Sequence, residues 1–310
     1  NAFGPLLPLL MRGLNVFTGD SIVSGLLISN VASGLGLYVF YRFVRKHWSP
    51  TVAFTSLLLL LAFPTAFYFN LIYTEALFLL LSVVFFTALY ERRLAVAAMA
   101  AFLLPLLRVP GLVVLVPFAW VLVADALPHR SAGGSIVERL KGFRPTTRLL
   151  WALAPLAGFC VYMLYMQHVT GDALIAMHTE KLYISNRSID NLVHPWRLFG
   201  DLFDSHLVVH NYLHSALDRS FFLVFVASLP LVYKRVDLPL FLFCAIVGLQ
   251  PFLGSFMSYM RLVLVAFPLF IAYGSLLEKR SPHLMYTLIY PLAMLQALLL
   301  SLHVLSYWVS

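Results

Sequence analysis

The chain has 310 residues, of which 61% are hydrophobic and only 11% charged, and its mean hydropathy is +0.89. Soluble domains carry about 25% charged residues, so this composition excludes an ordinary soluble enzyme and indicates a polytopic membrane protein. The net charge is +8. Cys160 and Cys244 both lie inside apolar runs, which disfavours a disulfide framework or a cysteine metal site.

The N-terminal stretch NAFGPLLPLLMRGLNVF lacks the basic region and the cleavage site of a signal peptide. We expect the chain to be a fragment whose upstream part is absent. Apolar runs predict about ten membrane spans, near residues 20–41, 51–69, 76–90, 94–107, 111–127, 149–167, 221–233, 238–256, 262–277 and 284–308. Several runs are short for a perpendicular span, and prolines offer places to break them, namely Pro64, Pro105, Pro117, Pro155, Pro251 and Pro268. The sequence therefore predicts an all-α protein with a single membrane domain over residues 1–310.

Basic residues are concentrated in alternate connections between these spans. The stretches YRFVRKHW, ERR, PHRSAGGSIVERLKGFRPTTR, KRVD and EKRSPH hold 14 of the 21 Lys and Arg residues. Cytoplasmic loops of membrane proteins carry such an excess, so these connections are assigned to the cytoplasmic face. The positive net charge is then explained by the orientation of the protein in the membrane, and a nucleic-acid partner is not expected.

The opposite, extracytoplasmic face receives residues 1–20, the stretch from Asn70 to Glu75, Arg108, the connection 168–220 and Arg261. Glu75 begins a predicted helix, where a carboxylate meets the positive end of the helix dipole, and Thr74 is its candidate N-cap. Arg108 and Arg261 each need an anion, which is either Glu75 or a phosphate suited to the planar guanidinium. Three roles stay open for Glu75: orienting an arginine, placing an acceptor, or capping its helix.

The connection 168–220 is longer than a simple turn requires and is expected to carry interfacial helices. Its first part, GDALIAMHTEKLYISNRSID, contains Asp172, His178 and Lys181 on a rim suited to a sugar or a phosphate. A Gly-Asp turn before a short helix is the simpler interpretation of Asp172.

The second part of this connection, HLVVHNYLH, places three histidines, His206, His210 and His214, at intervals of four residues. On a helix they would share one face, with the spacing by which two histidines grip a divalent metal. Three in a line cannot readily meet one ion, however, and the neighbouring apolar residues favour an amphipathic helix lying on the membrane. No metal site is predicted here, and a divalent cation stays open as a cofactor.

Several motifs, in their order along the chain, resemble one known family. The stretches AFGPLLPLLMRGLN, SGLLISNVASGLGLYVFYRFVR, AFPTAFYFNLIYTEALFLLLSVVFFTALYERR and LLPLLRVPGLVVLVPF are similar to the GPI mannosyltransferase II family, PIG-V, and its bacterial relatives. The similarity covers about the first 130 residues and includes the turn from Tyr73 to Ala76 and the R-x-x-G of Arg108 to Gly111. Further on, GDALIAMHTE and SYMRLVLVAFPLFIAYG resemble stretches of that family, with Leu262 where tyrosine is usual.

The resemblance implies a GT-C fold and a glycosyltransferase that takes sugar, in this family mannose, from a polyprenyl or dolichyl phosphate on the extracytoplasmic face. The catalytic aspartate of such relatives follows their first span, in a first outer loop that is expected to lie upstream of Asn1. The catalytic residue is thus unknown here, with Glu75 as a supporting candidate. Candidate substrate-binding residues are Tyr73, Arg108, Asp172, His178, Lys181 and Arg261. The chain also lacks a DxD motif, because DLFD at Asp201 has the wrong spacing, which disfavours a nucleotide-sugar donor.

Two functions of different classes follow from the sequence. The first is this lipid-phosphosugar glycosyltransferase, in a bacterial inner or plasma membrane or, in a eukaryote, the endoplasmic reticulum. Its expected partners are the lipid-linked donor, membrane lipids and an acceptor that the sequence does not specify. The second is a transporter or flippase for a lipid-linked or anionic substrate, which also uses interfacial arginines and broken helices.

Overall fold

The computed structural model of the protein describes residues 4–127, 146–175, 178, 189–203, 206–211, 214–253 and 255–309. Helix accounts for 80% of these residues, and no strand occurs among them, so the predicted all-α class is confirmed. The α-helices of the described residues are α1 (Leu6–Thr18), α2 (Ser21–His47), α3 (Pro50–Ala62), α4 (Glu75–Tyr90), α5 (Leu94–Leu107), α6 (Leu115–Ala126), α7 (Ala154–Thr170), α8 (Arg197–Leu202), α9 (Ala216–Arg235), α10 (Leu238–Gly248), α11 (Tyr259–Leu264), α12 (Pro268–Leu277) and α13 (Pro282–Val304). Short 3₁₀ segments cover Ala66–Asn70, Val109–Val114, Thr147–Leu153, Ile189–Leu192 and Gln250–Leu253.

Among the described residues, five helical stretches are long and apolar enough to cross a membrane: Ser21–His47, Val109–Ala126, Thr147–Thr170, Ala216–Arg235 and Pro282–Val304. Six further apolar helices have 10–17 residues, fewer than the roughly 20 that a perpendicular span needs. These segments indicate a multi-pass membrane protein. Ten separate spans stay a prediction.

Three of the predicted spans are interrupted next to prolines. The run 51–69 divides after Ala62, the run 238–256 divides after Gly248, and the run 262–277 divides between Leu264 and Pro268. Proline supplies no backbone N–H and clashes with the preceding turn, so an apolar run with an internal proline need not stay one helix. These three runs are therefore not single helices, and the expected breaks are confirmed at Pro64, Pro251 and Pro268.

Residues 6–18 form helix α1, which the sequence had assigned only to a face of the membrane. Gly19 ends α1 with a left-handed backbone (φ 69°) and donates its N–H to Asn15 O. Asp20 then begins α2, since its carboxylate accepts the N–H groups of Ile22 and Val23 at 2.6 and 3.1 Å. Gly19 thus caps the end of α1 and Asp20 caps the start of α2, which explains why so short a connection joins the two helices.

Four of the five basic connections lie together at one end of the helix bundle, whereas the fifth, at residues 128–148, lies mostly outside the described residues. Lys46 pairs with Glu91 at 2.7 Å, and the Trp48 side chain donates to the backbone of Arg235 at 3.3 Å. Further contacts at this end join Arg92 with Asp125, Tyr90 with Asp237, and Ser49 with Glu278. The Lys46 ammonium holds the pKa of Glu91 below its usual range. The four described connections that share the positive-inside signal thus share one end of the fold.

Close backbone approach sets the packing of α7 against α5. Gly158 of α7 is buried, and a Cβ atom there would lie 2.0 Å from the carbonyl oxygen of Phe102 in α5. Gly34 of α2 is also helical but has open space around its Cα.

We expect Gly158→Ala to lower the free energy of unfolding by about 1–3 kcal/mol, because the methyl group must push two helices apart. Gly34→Ala is the matched control and should leave stability unchanged or slightly raised, since alanine is the better helix former. Denaturant unfolding in detergent measures both. Equal unfolding midpoints for the two variants would contradict the close packing of α5 and α7.

Candidate functional site

Glu75 is the first residue of α4 and is fully buried. Thr74 occupies the predicted N-cap position of α4, but its backbone is already in the helical region and its side chain forms no cap hydrogen bond. The Thr74 carbonyl instead accepts the Phe78 N–H at 2.8 Å, as the first backbone bond of the helix. Glu75 therefore meets the positive end of the α4 dipole within the protein interior.

Two arginines from distant parts of the chain share one oxygen of this carboxylate. Arg108 Nη1 lies 3.3 Å from Glu75 Oε1, and Arg261 Nε lies 3.0 Å from the same oxygen. The Arg108 contact is a hydrogen bond, whereas the Arg261 Nε–H is not aimed at the oxygen and the contact is an ion pair. The arginine side chains are only 13% and 14% exposed. The pairing of Glu75 with an arginine, one of the alternatives left open by the sequence, is thus observed with both arginines.

Aromatic rings cover both guanidinium groups. Arg108 Cζ lies 5.7 Å from the ring centroid of Phe78. Arg261 Cζ lies 5.3 Å from the ring of Tyr68 and 5.0 Å from that of Tyr73. Such rings attract cations through their negative faces and shield them from water. Tyr73, a predicted substrate-binding residue, accordingly contacts Arg261.

Arg108 reaches the cluster because α5 ends immediately before it. The Arg108 backbone is extended (φ −162°, ψ 145°), and its N–H still bonds to the Leu104 carbonyl at 3.1 Å. Gly111 follows, and a Cβ atom there would lie 2.3 Å from the Leu104 carbonyl oxygen. The R-x-x-G spacing thus has a structural reason: the chain folds back over the end of α5, and only glycine fits at the closest approach.

Arg261 lies in a buried turn that three hydrogen bonds anchor to other parts of the chain. Ser258 has a left-handed backbone (φ 57°), and the hydroxyl of Tyr259 donates to Gly248 O at 2.9 Å. The Met260 N–H donates to Asp218 Oδ1 at 2.9 Å, and the Met260 carbonyl accepts the Thr65 hydroxyl at 3.0 Å. Both backbone polar groups of Met260, the residue before Arg261, therefore bond to side chains from other elements.

Sequence reasoning did not identify Thr65, Tyr68 or Asp218 as parts of this cluster. A signal for Asp218 was present, because S-x-x-D before an apolar run is a capping pattern, and Ser215 Oγ does accept the Asp218 N–H at 3.1 Å. That pattern predicts the start of a helix and says nothing of a bond to Met260. Thr65 carries no comparable signal, since one threonine beside a proline is ordinary in a connection.

Asp218 also joins the cluster to the connection that precedes α9. His210 Nδ1 lies 2.8 Å from Ser215 Oγ and 3.7 Å from Asp218 Oδ2. Arg219 donates from Nε to the backbone carbonyl of Asp201 at 2.7 Å. These contacts attach the segments around residues 201 and 210 to the same end of the bundle as Glu75.

The predicted amphipathic helix with His206, His210 and His214 on one face is wrong. Residues 206–211 are not helical, and Val208 forms a backbone bridge with Ser215 instead. The bridge is parallel, and His210 points to Ser215 and Asp218. No group of three or more His, Cys, Asp or Glu side chains suited to a metal ion occurs among the described residues.

Asp172 and His178 form a separate pair beyond the end of α7. Gly171 caps α7 with a left-handed backbone, and Asp172 accepts the Leu174 N–H at 2.9 Å, as expected of a Gly-Asp turn. His178 Nδ1 lies 2.5 Å from Asp172 Oδ2, and this contact holds the pKa of Asp172 below its usual range. Neither side chain forms an ion pair or hydrogen bond with the Glu75 cluster in the described part of the chain. Lys181 lies outside the described residues.

Comparison with protein-family models, with curated proteins and with solved structures gave no match for this chain. The resemblance to the PIG-V family therefore depends on the quoted motifs alone. What the structure adds is spatial: Tyr73, Glu75, Arg108 and Arg261, which come from three of those motifs, form one buried cluster.

We expect Glu75→Gln to destabilise the protein by about 3–5 kcal/mol, because it leaves two buried guanidinium groups without their shared anion. Glu91→Gln is the matched control, since Glu91 pairs with Lys46 at a partly exposed site, where such a pair contributes little. Unfolding midpoints in detergent compare the two. Similar midpoints would mean that Glu75 is not needed to neutralise the arginines.

A second pair of variants tests the anchor of the Arg261 turn. Thr65→Val keeps the shape of the side chain but leaves the buried Met260 carbonyl without its donor, at a cost of about 1–3 kcal/mol. Thr65→Ser retains the hydroxyl and should lose clearly less stability. Thermal unfolding of both proteins in detergent measures the difference. Should the serine variant unfold as readily as the valine variant, the hydrogen bond would not be the relevant interaction.

Proposed function

We propose that the protein is a membrane glycosyltransferase that takes its sugar, mannose, from a polyprenyl or dolichyl phosphate carrier and has a GT-C fold. The observation that carries this proposal is the buried cluster in which Glu75 holds Arg108 and Arg261 at one end of the bundle. When Glu75 is ionised, these three side chains have a net charge of +1. That balance suits a site for a phosphate, whose oxygens match the planar guanidinium donors.

Sugar transfer from a phosphate carrier gives the arginines a chemical role. The acceptor hydroxyl attacks the anomeric carbon and loses its proton to a carboxylate base, while the bond between that carbon and the phosphate oxygen breaks. The departing lipid phosphate gains negative charge during this step. Arg108 and Arg261 would stabilise that charge, and preorganised cations in a site shielded from water are effective at doing so.

Glu75 is proposed to position the arginines. Its Oε1 is the oxygen between the two guanidinium groups, and its Oε2 is buried without a hydrogen-bond partner among the described residues. A base must reach the acceptor hydroxyl, which a carboxylate enclosed in this way does less readily than an accessible one. The aspartate implied by the family resemblance therefore remains the proposed base.

The location of the cluster is compatible with a lipid-linked donor. Glu75 begins α4, whereas Glu91, which contacts Lys46 in a basic connection, directly follows the last residue of α4. If the basic connections are cytoplasmic, as the positive-inside rule indicates, the cluster lies toward the extracytoplasmic face. Polyprenyl phosphate sugars serve as donors on that face, where nucleotide sugars are not supplied.

A transporter or flippase is the second candidate, and the interrupted helices favour it. The breaks after Ala62, Gly248 and Leu264 resemble the discontinuous helices that form substrate sites in transporters. Such a protein would move its lipid-linked substrate without forming a glycosidic bond. The two functions therefore differ in their product.

Reconstituted full-length protein should transfer labelled mannose from polyprenyl phosphate mannose, but not from GDP-mannose, to an acceptor in membrane lipid extract. Arg108→Ala and Arg261→Ala should each lower the rate of transfer more than tenfold, since each removes a cation from the departing phosphate. Arg280→Ala, an exposed arginine in a basic connection, is the control and should be neutral.

The outcomes separate the candidates once each variant is shown to be folded. Normal transfer by both arginine variants would remove the phosphate role of the cluster. Absence of transfer from either donor, together with protein-dependent movement of the donor lipid between leaflets, would favour the flippase. Transfer from GDP-mannose alone would reject the lipid-linked donor.

A further inference from the structure

The described part of the connection between α7 and α9 carries several exposed, large apolar side chains. Trp196, Phe199 and Phe203 are 61%, 62% and 73% exposed. Val193 and Val209, on either side of them in the chain, are 71% and 77% exposed. We call these five residues the apolar rim. Large contiguous apolar surface of this kind normally contacts a partner or a membrane.

The apolar rim follows from the helical geometry of α8 and its flanking residues. Leu198 and Leu202 are buried against the core, whereas Trp196, Phe199 and Phe203 recur at intervals of three and four residues on the other side. This is the spacing of an amphipathic helix, but here both faces are apolar. The buried leucines pack against the protein core, whereas the exposed aromatic side chains remain available to an apolar surrounding outside the protein.

Specific contacts fix the segment that carries the rim. Asn191 donates from Nδ2 to the Leu253 carbonyl at 2.9 Å, which attaches the start of the segment to the 3₁₀ turn after α10. The Arg219 side chain, in the first turn of α9, donates to the Asp201 carbonyl at 2.7 Å. The outward direction of the aromatic side chains is therefore set by the fold at the outer ends of α9 and α10.

We propose that the apolar rim inserts into the interfacial region of the membrane leaflet on the side of the Glu75 cluster. The Arg219 contact places α8 beside the first turn of α9, a candidate span whose Leu223 and Val224 are 50% and 57% exposed along its length. The rim thus continues the lipid-facing surface of α9. Tryptophan at that level is typical of the boundary between headgroups and acyl chains.

The polar residues of the segment fit the same depth. Arg197 and His194 alternate with the exposed aromatic residues, and Arg197 Nη1 donates to Asn191 Oδ1 at 3.2 Å. A side chain with a long apolar stem and a charged end can remain at headgroup level while its neighbours enter the acyl region.

The insertion also differs from the predicted membrane helix at residues 206–214, because it involves α8 and its flanks. It depends on the membrane character of the helices and not on the proposed activity.

The test uses a fluorescent label on single cysteines in the full chain. In a Cys160→Ser background, where the remaining Cys244 is buried, Phe199→Cys and Phe203→Cys are each labelled with an environment-sensitive fluorophore. Arg280→Cys, exposed at the basic end, is the control for a position in water. The proteins are reconstituted in phosphatidylcholine and phosphatidylglycerol vesicles that contain nitroxide lipids labelled either at the headgroup or at a shallow or a deep acyl position.

Insertion predicts that headgroup and shallow acyl nitroxides quench the fluorescence at positions 199 and 203 at least threefold more than at position 280. Aqueous iodide should instead quench position 280 more than positions 199 and 203. Iodide quenching of 199 and 203 equal to that of 280 would place the rim in water and overturn the proposal. Protection from both quenchers, with cross-linking between copies through these cysteines, would overturn it in favour of self-association. Testing two positions keeps the outcome decisive when one cysteine variant fails to fold.

Discussion

The buried carboxylate of Glu75 is the constraint on which this end of the bundle depends. A charge in such surroundings persists only when it is paired, and here two guanidinium groups meet the same oxygen at 3.3 and 3.0 Å. That pairing ties the start of α4, the end of α5 and the turn at α11 together. Elements far apart in the chain are thereby fixed at one point, and the aromatic rings around the arginines exclude water from it.

The interruptions between helices allow backbone groups to form hydrogen bonds with side chains of other elements. An uninterrupted helix satisfies its own backbone, so it offers no peptide group to another element. Because the chain is interrupted before α11, the Met260 N–H donates to the Asp218 side chain of α9, and the Met260 carbonyl accepts the Thr65 hydroxyl from the break after α3. The left-handed Ser258 is a further cost at the same turn. Strained and externally anchored backbone beside Arg261 indicates that the position of this side chain is what the turn maintains.

Sequence reasoning predicted the all-α class, the grouping of the basic connections and the proline-associated breaks, because each depends on local composition. It also put Glu75, Arg108 and Arg261 on one face. It did not predict α1, the bridge at Val208 or the roles of Thr65 and Asp218. Those features depend on contacts between residues distant in the chain: the Thr65 bond to Met260 spans 195 residues, and the Asp218 bond spans 42. The three histidines show the converse, since a perfect helical spacing was overridden by strand-like pairing with Ser215.

Two arginines on one carboxylate are more than neutralisation requires. A buried glutamate is balanced by a single cation, and each additional guanidinium group adds its own desolvation cost. The structure offsets part of that cost with the rings of Phe78, Tyr68 and Tyr73, which themselves recruit further buried surface to the cluster. We interpret the shared carboxylate and the aromatic rings as features that position the two arginines, which is the role that the proposed phosphate site requires of them.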